Sequence, residues 1–237
     1  MRAELDSTKF MNDSYQVCLH LMETVLEYRR EPIARELEKI RHKHSMLHID
    51  VLLLIYYFAK ITSGPVLEIG SYLGGGTIAA AWGVRDSGRP RSIISIEPGG
   101  ACDHPRLPTK NILKDLKKNL AKRGVSEQVT LLEGFSRDKG IVAAVNERFA
   151  PGTVDLLIID ADGDIKGTID LYGSRLSPDC WVVIDDYYCP APGSKDVIVR
   201  PQIHAFVQAG QLETLGFYGW ATWVGRWRGG QCSHQTV

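Results

Sequence analysis

The chain has 237 residues, of which 44% are hydrophobic and 24% are charged. This balance is typical of one globular α/β domain with an accessory segment. Lysine plus arginine and aspartate plus glutamate each number 28, so the formal net charge is zero, which argues against a nucleic-acid partner.

The sequence shows no sign of secretion or membrane insertion. Residues 1–15 lack the pattern of a signal peptide, and the longest apolar run, Val51–Ala59, is too short to span a bilayer. The five cysteines are widely spaced without a C-x-x-C pair, so neither a disulfide framework nor a zinc site is expected. These features favour a cytoplasmic protein with reduced thiols and no membrane partner.

The first part of the chain differs in character from the rest. Residues 1–62 have helical periodicity, many charges and no strand-like alternation, and the run Val51–Ala59 predicts a buried helix. After Gly64, short apolar runs alternate with helical stretches. We therefore expect an N-terminal helical cap or lid over residues 1–62 and a Rossmann-like domain over residues 63–237.

Short and almost continuously apolar runs predict strands that are buried on both faces, as in a parallel sheet covered by helices. The runs are Val66–Ile69, Ser92–Ile96, Val129–Leu132, Val154–Ile159 and Trp181–Ile184. The predicted crossover helices between them are Thr77–Val84, Thr109–Arg123, Asp138–Phe149 and Thr168–Leu176. Thr109 is a suitable N-cap for the second of these helices, and Gly124 is a suitable end.

The end of the chain predicts a reversal of strand direction. A helical stretch, Val197–Ala209, is followed by two runs, Leu212–Tyr218 and Ala221–Trp227, that flank the turn residue Gly219. Such a pair is typical of an antiparallel hairpin. The expected fold class is α/β: a Rossmann-like, doubly wound, mostly parallel seven-stranded sheet with an antiparallel C-terminal hairpin and an N-terminal helical cap.

A glycine-rich turn follows the first predicted strand, in the segment VLEIGSYLGGGT that ends at Thr77. Gly70, Gly74 and Gly76 tolerate positive φ and let a ligand approach the backbone. Their spacing differs from the G-x-G-x-x-G fingerprint of dinucleotide sites. Glu68 would repel a pyrophosphate but attract the cationic amino group of S-adenosylmethionine. The turn therefore favours S-adenosylmethionine over NAD.

Glu97 ends the second predicted strand, directly before Pro98. A carboxylate at this position can accept hydrogen bonds from both hydroxyls of a ribose. NAD sites also place an acid here, so Glu97 predicts a nucleoside ligand without distinguishing the two cofactors.

The motif E-I-G-x-Y-x-G, followed by the strand-ending Glu97, resembles the catechol and caffeoyl-CoA O-methyltransferases and the wider bacterial small-molecule O-methyltransferases. The resemblance extends over roughly residues 45–227. The residues that it implies for the methionine end of the cofactor are Glu68, Gly70, Tyr72 and Gly74. It also implies that Glu97 holds the ribose. The segment Gly134–Asp138 resembles the family's G-x-S-x-D, which implies that Ser136 lies near the adenine.

Acidic residues follow the fourth and fifth predicted strands: Asp160 after the fourth, and Asp185 and Asp186 after the fifth. Neighbouring parallel strands bring their carboxyl ends together, so these carboxylates should converge. Unpaired, they would repel one another, whereas a hard divalent cation such as Mg²⁺ or Ca²⁺ would resolve the repulsion. The alternative is that they only cap helices or accept hydrogen bonds from loop amides.

Resemblance to metal-dependent members of the family implies that Asp160, Asp185 and Asp186 are metal ligands, with Asp160 also lining the cofactor site and acting in catalysis. Caffeoyl-CoA-type enzymes have a lysine base three residues after the first acid, but Gly163 occupies that position here. The segment after Asp160 is more similar to O-methyltransferases that act on antibiotic sugars and macrolides. This similarity implies that Asp162 is the general base.

Further expectations concern histidines and a methionine in the N-terminal part of the chain and tryptophans in its C-terminal part. We expect His42, His44 and His48 to be partly solvated side chains rather than bases or ligands. By resemblance, Met46 would abut the methyl group of the cofactor. The tail tryptophans Trp220, Trp223 and Trp227 would pack against the sheet edge or a second copy of the chain. Together with the apolar N-terminal helices they predict a homodimer.

The predicted function is transfer of a methyl group from S-adenosylmethionine to a hydroxyl of a small molecule, assisted by a divalent metal. Phenol, sugar, macrolide and peptide hydroxyls all stay open as acceptors. Three alternatives also stay open: a protein like the cephalosporin hydroxylases of the same superfamily, a non-catalytic S-adenosylmethionine-binding protein, and an NAD-dependent oxidoreductase.

Overall fold

The computed structural model describes residues 2–189 and 194–229. It contains a seven-stranded sheet with the order β3-β2-β1-β4-β5-β7-β6. The strands are β1 (Val66–Ile69), β2 (Ile93–Glu97), β3 (Val129–Glu133), β4 (Val154–Ile159), β5 (Leu176–Ile184), β6 (Leu212–Tyr218) and β7 (Thr222–Trp227). The α-helices are α1 (Arg2–Tyr28), α2 (Pro32–His44), α3 (Ile49–Ile61), α4 (Gly75–Asp86), α5 (Ile112–Lys122), α6 (Lys139–Arg148), α7 (Ile165–Tyr172) and α8 (Asp196–Gln208).

Strand β1 lies at the centre of the sheet, between β2 and β4, and the first five strands are parallel. The antiparallel β6 and β7 complete the edge beside β5. The chain moves outward from β1 to β3 and returns to β4 on the opposite side of β1. The crevice at the carboxyl ends of β1 and β4 is therefore the place where open α/β sheets bind ligands. The predicted fold class is confirmed.

Two hydrophobic clusters cover the two faces of the sheet, because successive side chains of each strand point to opposite sides. Val66 contributes to one cluster, together with α1 to α4, whereas Leu67 contributes to the other, together with α6 to α8. Helix α3 is apolar on all sides because it packs against α1, α2 and α4. Phe58 of α3 stacks on Trp181 of β5 with 4.1 Å between the ring centroids. The N-terminal helices thus share their core with the sheet.

Two helices start at a different cap from the one that the sequence predicts. Helix α5 is capped by Asn111, whose side chain accepts a hydrogen bond from the backbone N–H of Lys114 at 2.9 Å. Thr109, the predicted cap, instead donates to Asp115 at 2.6 Å. Helix α7 begins at Ile165, earlier than predicted, because the Asp164 side chain caps it. Gly124 follows the end of α5 with a positive φ, as predicted.

The tail tryptophans separate into two groups. Trp223 and Trp227 are buried in the core, as predicted for residues that pack the sheet edge. Trp220 is exposed and lies edge-on to His48, with 4.6 Å between the ring centroids. Cys232 lies outside the described residues, and the four described cysteines are free thiols.

Among residues 2–189 and 194–229, no single helix has the length and apolar composition of a membrane span. Helices α2 and α3 pass that test only as a pair, bent by 119°.

Candidate active site

The turn between β1 and α4 brings the ends of two central strands together. Gly70 has a φ of +87°, and a Cβ atom at this position would lie 2.0 Å from the backbone oxygen of Asp160. Only glycine combines this conformation with this close approach. The turn therefore holds the end of β1 directly against the end of β4.

Glu68 is a buried acid beside that turn, with 2% of its surface exposed. One carboxylate oxygen accepts hydrogen bonds from the hydroxyls of Thr77 at 2.5 Å and Ser95 at 2.6 Å. The other faces Gly76, where an added Cβ atom would lie 2.5 Å away. Burial raises the pKa of the Glu68 carboxyl to about 7, since the two hydroxyls only partly offset the loss of water. Glu68 can therefore accept a cationic ligand group with little competition from solvent.

Glu97 joins the end of β2 to the glycine-rich turn. Its carboxylate accepts hydrogen bonds from the backbone N–H groups of Ser71 at 3.1 Å, Tyr72 at 2.8 Å and Gly99 at 2.9 Å. Three donors leave a carboxylate with further acceptor capacity. Glu97 braces the turn and remains at the same end of the sheet as Glu68, the position predicted for a ribose contact.

Ser136 lies in the loop after β3, next to the end of β2. Gly134 donates its backbone N–H to the carbonyl of Glu97 at 3.1 Å, which ties this loop to β2. The Asp138 side chain accepts from the backbone N–H of Phe135 at 2.8 Å, and the Ser136 carbonyl accepts from the Tyr172 hydroxyl. The loop is thus fixed at the same rim, where the resemblance places adenine.

The loop between α2 and α3 covers the methionine end of the predicted cofactor site. Residues 44–47 line a cavity together with Glu68, Gly70, Tyr72 and Asp160. The cavity measures about 10 Å³, which is room for one water molecule and far too little for S-adenosylmethionine. Arg106 donates to the backbone oxygen of Ser45 at 2.9 Å and holds the loop in place.

His44 corrects one sequence expectation. It is only 9% exposed rather than partly solvated, and neither ring nitrogen has a hydrogen-bond partner among the described residues. Burial, reinforced by the nearby charge of Arg123, lowers its pKa to about 4. The imidazole is therefore neutral at physiological pH. His42 and His48 are more exposed, as expected.

The three acids predicted as metal ligands lie together at the ends of β4 and β5. Asp160, Asp185 and Asp186 can each present a carboxylate oxygen within 4.8 Å of the others. Burial, and then the charges of Asp185 and Asp186, raise the pKa of Asp160 well above its usual range. Asp185 accepts from the Thr222 hydroxyl at 2.5 Å, while no described residue hydrogen-bonds to the Asp160 carboxylate.

This donor set fits a hard divalent cation. All three ligands offer carboxylate oxygens, the type that Mg²⁺ and Ca²⁺ prefer, and their convergence would be unfavourable without a neutralising charge. The alternative that these acids only cap helices or accept hydrogen bonds from loop amides accounts in part for Asp185, which accepts from the Thr222 hydroxyl and the Asp186 backbone. It does not account for the position of Asp160, whose carboxylate accepts no hydrogen bond from the described residues. Asp160, Asp185 and Asp186 are thus the residues that could hold a metal.

Lys195, to which the sequence analysis gave no role, contacts this cluster. The Lys195 ammonium donates to Asp186 at 2.8 Å and to the backbone oxygen of Ala161 at 2.7 Å. Lys195 lies directly before α8, ten positions after Asp185, so no motif in the sequence places it beside the acids. The structure shows that the acids have a partial internal counterion.

Asp162, the predicted general base, lies apart from the cluster. Its exposed carboxylate pairs with Arg137 at 2.9 Å. Lys166, the nearest lysine in sequence to the usual base position, pairs with Asp170 at 2.5 Å. The role of Asp162 therefore stays a prediction, and its ion pair with Arg137 argues against it.

Comparison with known proteins agrees with this geometry. The model of a methyltransferase-domain family matches residues 67–187, slightly more than half of the chain. The chain belongs to this methyltransferase family, which confirms the predicted class and argues against an NAD-dependent oxidoreductase. No curated protein sequence matches the chain.

Solved structures share the fold at low sequence identity. The O-methyltransferase TomG from Streptomyces achromogenes, in complex with S-adenosylmethionine, is 16% identical with a TM-score of 0.59, covering 88% of this chain and 96% of its own. An O-methyltransferase from Bacillus cereus, in complex with S-adenosylhomocysteine, is 14% identical with a TM-score of 0.59, covering 84% and 91%. The Podospora anserina methyltransferase PaMTH1 is 16% identical with a TM-score of 0.56, covering 94% and 96%. These structures show that the chain shares the methyltransferase fold, and the family model shows the methyltransferase class.

Proposed function

We propose that this protein transfers the methyl group of S-adenosylmethionine to a hydroxyl of a small molecule, with a divalent cation held by Asp160, Asp185 and Asp186. One observation carries the proposal: Asp160 belongs both to the acid cluster and to the cavity that contains Glu68. A cofactor whose ammonium pairs with Glu68 would therefore lie close to a cation on the cluster. We expect the protein to act in the cytoplasm.

Several features of the site support the cofactor assignment. Glu68 offers a desolvated carboxylate for the ammonium of the methionine moiety, and Glu97 offers acceptor capacity at the position expected for the ribose. The structural neighbours named above were solved with S-adenosylmethionine or S-adenosylhomocysteine.

The chain's own residues would act mainly by positioning. In methyl transfer, the acceptor oxygen forms a bond to the methyl carbon while the carbon–sulfur bond breaks and its electron pair goes to sulfur. Glu68 and Glu97 would fix the donor, and the loop over residues 44–47 would exclude water. A divalent cation on the acids would lower the pKa of the acceptor hydroxyl. The formal net charge of the chain is zero and acids line the rim of the site. A polyanionic acceptor would therefore find little attraction, and we expect an acceptor that carries one hydroxyl or two neighbouring hydroxyls.

The metal part of the proposal is tested with Asp185→Asn, which keeps the shape of the side chain and removes one charge. Calorimetric titration with Mn²⁺ should show affinity reduced roughly tenfold or more. S-adenosylhomocysteine affinity should stay within about twofold, since Asp185 does not line the cofactor cavity. The matched control is Asp170→Asn, an exposed acid paired with Lys166, which should leave both affinities unchanged.

Two outcomes would count against the proposal. Unchanged Mn²⁺ affinity in Asp185→Asn would remove the acid cluster from metal binding. Thermal stabilisation by NAD but not by S-adenosylhomocysteine would show that S-adenosylmethionine is not the cofactor. Incubation of the Mn²⁺-loaded protein with S-adenosylmethionine and catechols, sugars or macrolides, followed by mass spectrometry, would identify the acceptor class by the gain of a methyl group.

We also propose a homodimer that uses the exposed face of α1. Tyr15, Leu19, Met22 and Leu26 are all exposed and follow one another at spacings of four, three and four residues. This spacing places them in one stripe along the helix, the pattern of a helix that packs against another helix. The stripe borders a groove of about 570 Å³ between α1 and β6.

A further inference from the structure

We propose that Lys195 is a built-in counterion that competes with the divalent cation for the acid cluster, so that metal binding displaces its ammonium from Asp186. The inference rests on the metal-dependent function proposed above. It concerns what the cluster does before a metal arrives and how tightly the metal is then held.

The contacts of Lys195 support this role. Its ammonium lies 2.8 Å from a carboxylate oxygen of Asp186, one of the three acids whose oxygens converge within 4.8 Å. Its second contact is the backbone oxygen of Ala161, the residue that follows Asp160. The ammonium therefore lies between the ends of β4 and β5, on the same acids that a cation would use.

The ammonium and a metal ion would compete for the negative charge of Asp186. A divalent cation bound to the cluster would place two positive charges next to the lysine ammonium within a few ångströms, where their repulsion is strong. Lys195 can yield because its side chain is 47% exposed and carries its charge on a long, flexible stem. Released from Asp186, the ammonium has open solvent beside it.

The residues next to Lys195 have hydrogen bonds and an ion pair of their own, apart from the acid cluster. The following residue, Asp196, is buried, and its carboxylate accepts from the Ser194 hydroxyl and lies 3.8 Å from Arg200. A change of side-chain rotamer at Lys195 would leave these contacts of Asp196 intact.

Other lysine and arginine side chains close in sequence to the acids form ion pairs outside the cluster. Arg137 pairs with Asp162 at 2.9 Å, and Lys166 pairs with Asp170 at 2.5 Å. Within residues 2–189 and 194–229, Lys195 is the basic side chain that forms an ion pair with the cluster. Its removal should leave the acids with no protein counterion and a stronger attraction for a metal.

The test compares Mn²⁺ affinity, measured by calorimetry and by the electron paramagnetic resonance signal of free Mn²⁺, in the wild type and in Lys195→Met. We expect Lys195→Met to bind Mn²⁺ roughly three- to tenfold more tightly, in line with the modest strength of a partly exposed ion pair. Lys195→Gln should behave in the same way. Lys195→Arg, which keeps the charge, should retain an affinity close to that of the wild type.

Lys166→Met is the matched control, because it removes a lysine that pairs with an acid outside the cluster. Its Mn²⁺ affinity should be unchanged. Equal or weaker Mn²⁺ binding in both Lys195→Met and Lys195→Gln, with wild-type binding intact, would overturn the inference alone. Absence of Mn²⁺ binding in the wild type and in all variants would overturn the metal-dependent function and the inference with it.

Discussion

At the scale of single residues, the charge of Glu68 couples stability and cofactor binding to pH. The carboxyl group is buried, and its pKa is raised from 4.5 to about 7 in the folded protein. The folded state therefore binds a proton more tightly than the unfolded state does. Above pH 4.5 the unfolded chain loses this proton first, so the stability of the cofactor-free protein falls as pH rises towards 7.

Glu68→Gln should remove this dependence. The shift corresponds to roughly 3 kcal/mol at pH 8, so the cofactor-free variant should be more stable than the wild type there, with little difference near pH 4.5. Urea denaturation at both pH values measures the effect. Glu147→Gln, on the exposed surface of α6, is the control. A variant that is no more stable than the wild type at pH 8 would contradict the assigned cost of burying this charge.

The same residue gives an opposite effect on binding. If the ammonium of S-adenosylmethionine pairs with Glu68, binding below pH 7 must expel a proton from the carboxyl group, so affinity should fall as pH decreases from 7 to 5. Calorimetry with S-adenosylhomocysteine, which carries the same ammonium, should show this fall in the wild type. Glu68→Gln should bind weakly at every pH. A wild-type affinity that does not change between pH 7 and pH 5 would show that Glu68 does not pair with the ammonium of the cofactor.

Residue-level prediction from sequence succeeded where backbone position decides the chemistry. The acids Asp160, Asp185 and Asp186 converge because parallel strands end at one rim, which apolar patterning alone indicates. Sequence could not indicate Lys195 or the unpartnered His44. Their positions depend on how a loop and a helix end pack in three dimensions, and no local pattern encodes that packing.

At the scale of elements, the turn between β1 and α4 links the two halves of the site. Gly70→Ala would bring a Cβ atom within 2.0 Å of the Asp160 backbone and would strain a residue with positive φ. Gly88→Ala provides a matched control, since Gly88 also has a positive φ but no atom lies within 4 Å of its added Cβ. The comparison separates backbone strain from the close approach of the two strands.

We expect Gly88→Ala to lose about 1 kcal/mol in free energy of unfolding, from backbone strain alone. Gly70→Ala should lose more than about 3 kcal/mol and should also weaken S-adenosylhomocysteine binding, because Glu68 and Asp160 would be pushed apart. Urea denaturation and calorimetry measure the two effects. Equal losses in the two variants would show that the contact between the turn and β4 contributes nothing.

Element boundaries were predictable where a glycine or a buried apolar run sets them and less so where side-chain caps compete. Gly124 follows the end of α5 as expected. At the other end of that helix, Thr109 and Asn111 are both good caps by residue type. The Thr109 hydroxyl donates to Asp115 and accepts from the Asn111 backbone N–H, while the Asn111 side chain accepts from Lys114 and caps the helix.

At the scale of the whole molecule, the N-terminal helices have two different surfaces. One surface joins the core of the sheet, through residues such as Leu21 and Leu37. The opposite surface of α1 carries the exposed apolar stripe that includes Met22 and Leu26. A monomer rarely leaves a contiguous apolar surface open to water, and a stripe along one helix can pair with its own copy about a two-fold axis.

Leu26→Glu should therefore convert a dimer into a monomer, because it places a charge within the apolar stripe. Leu26 is 61% exposed in the single chain, so the substitution costs the monomer's own core little. Val197→Glu is the matched control: Val197 is 65% exposed but lies on α8, away from the stripe. Light scattering at micromolar concentration should give a dimer for the wild type and Val197→Glu and a monomer for Leu26→Glu. A monomeric wild type would rule out the dimer, and a dimeric Leu26→Glu would move the interface away from α1, towards the exposed Phe217 and Trp220 beside the hairpin.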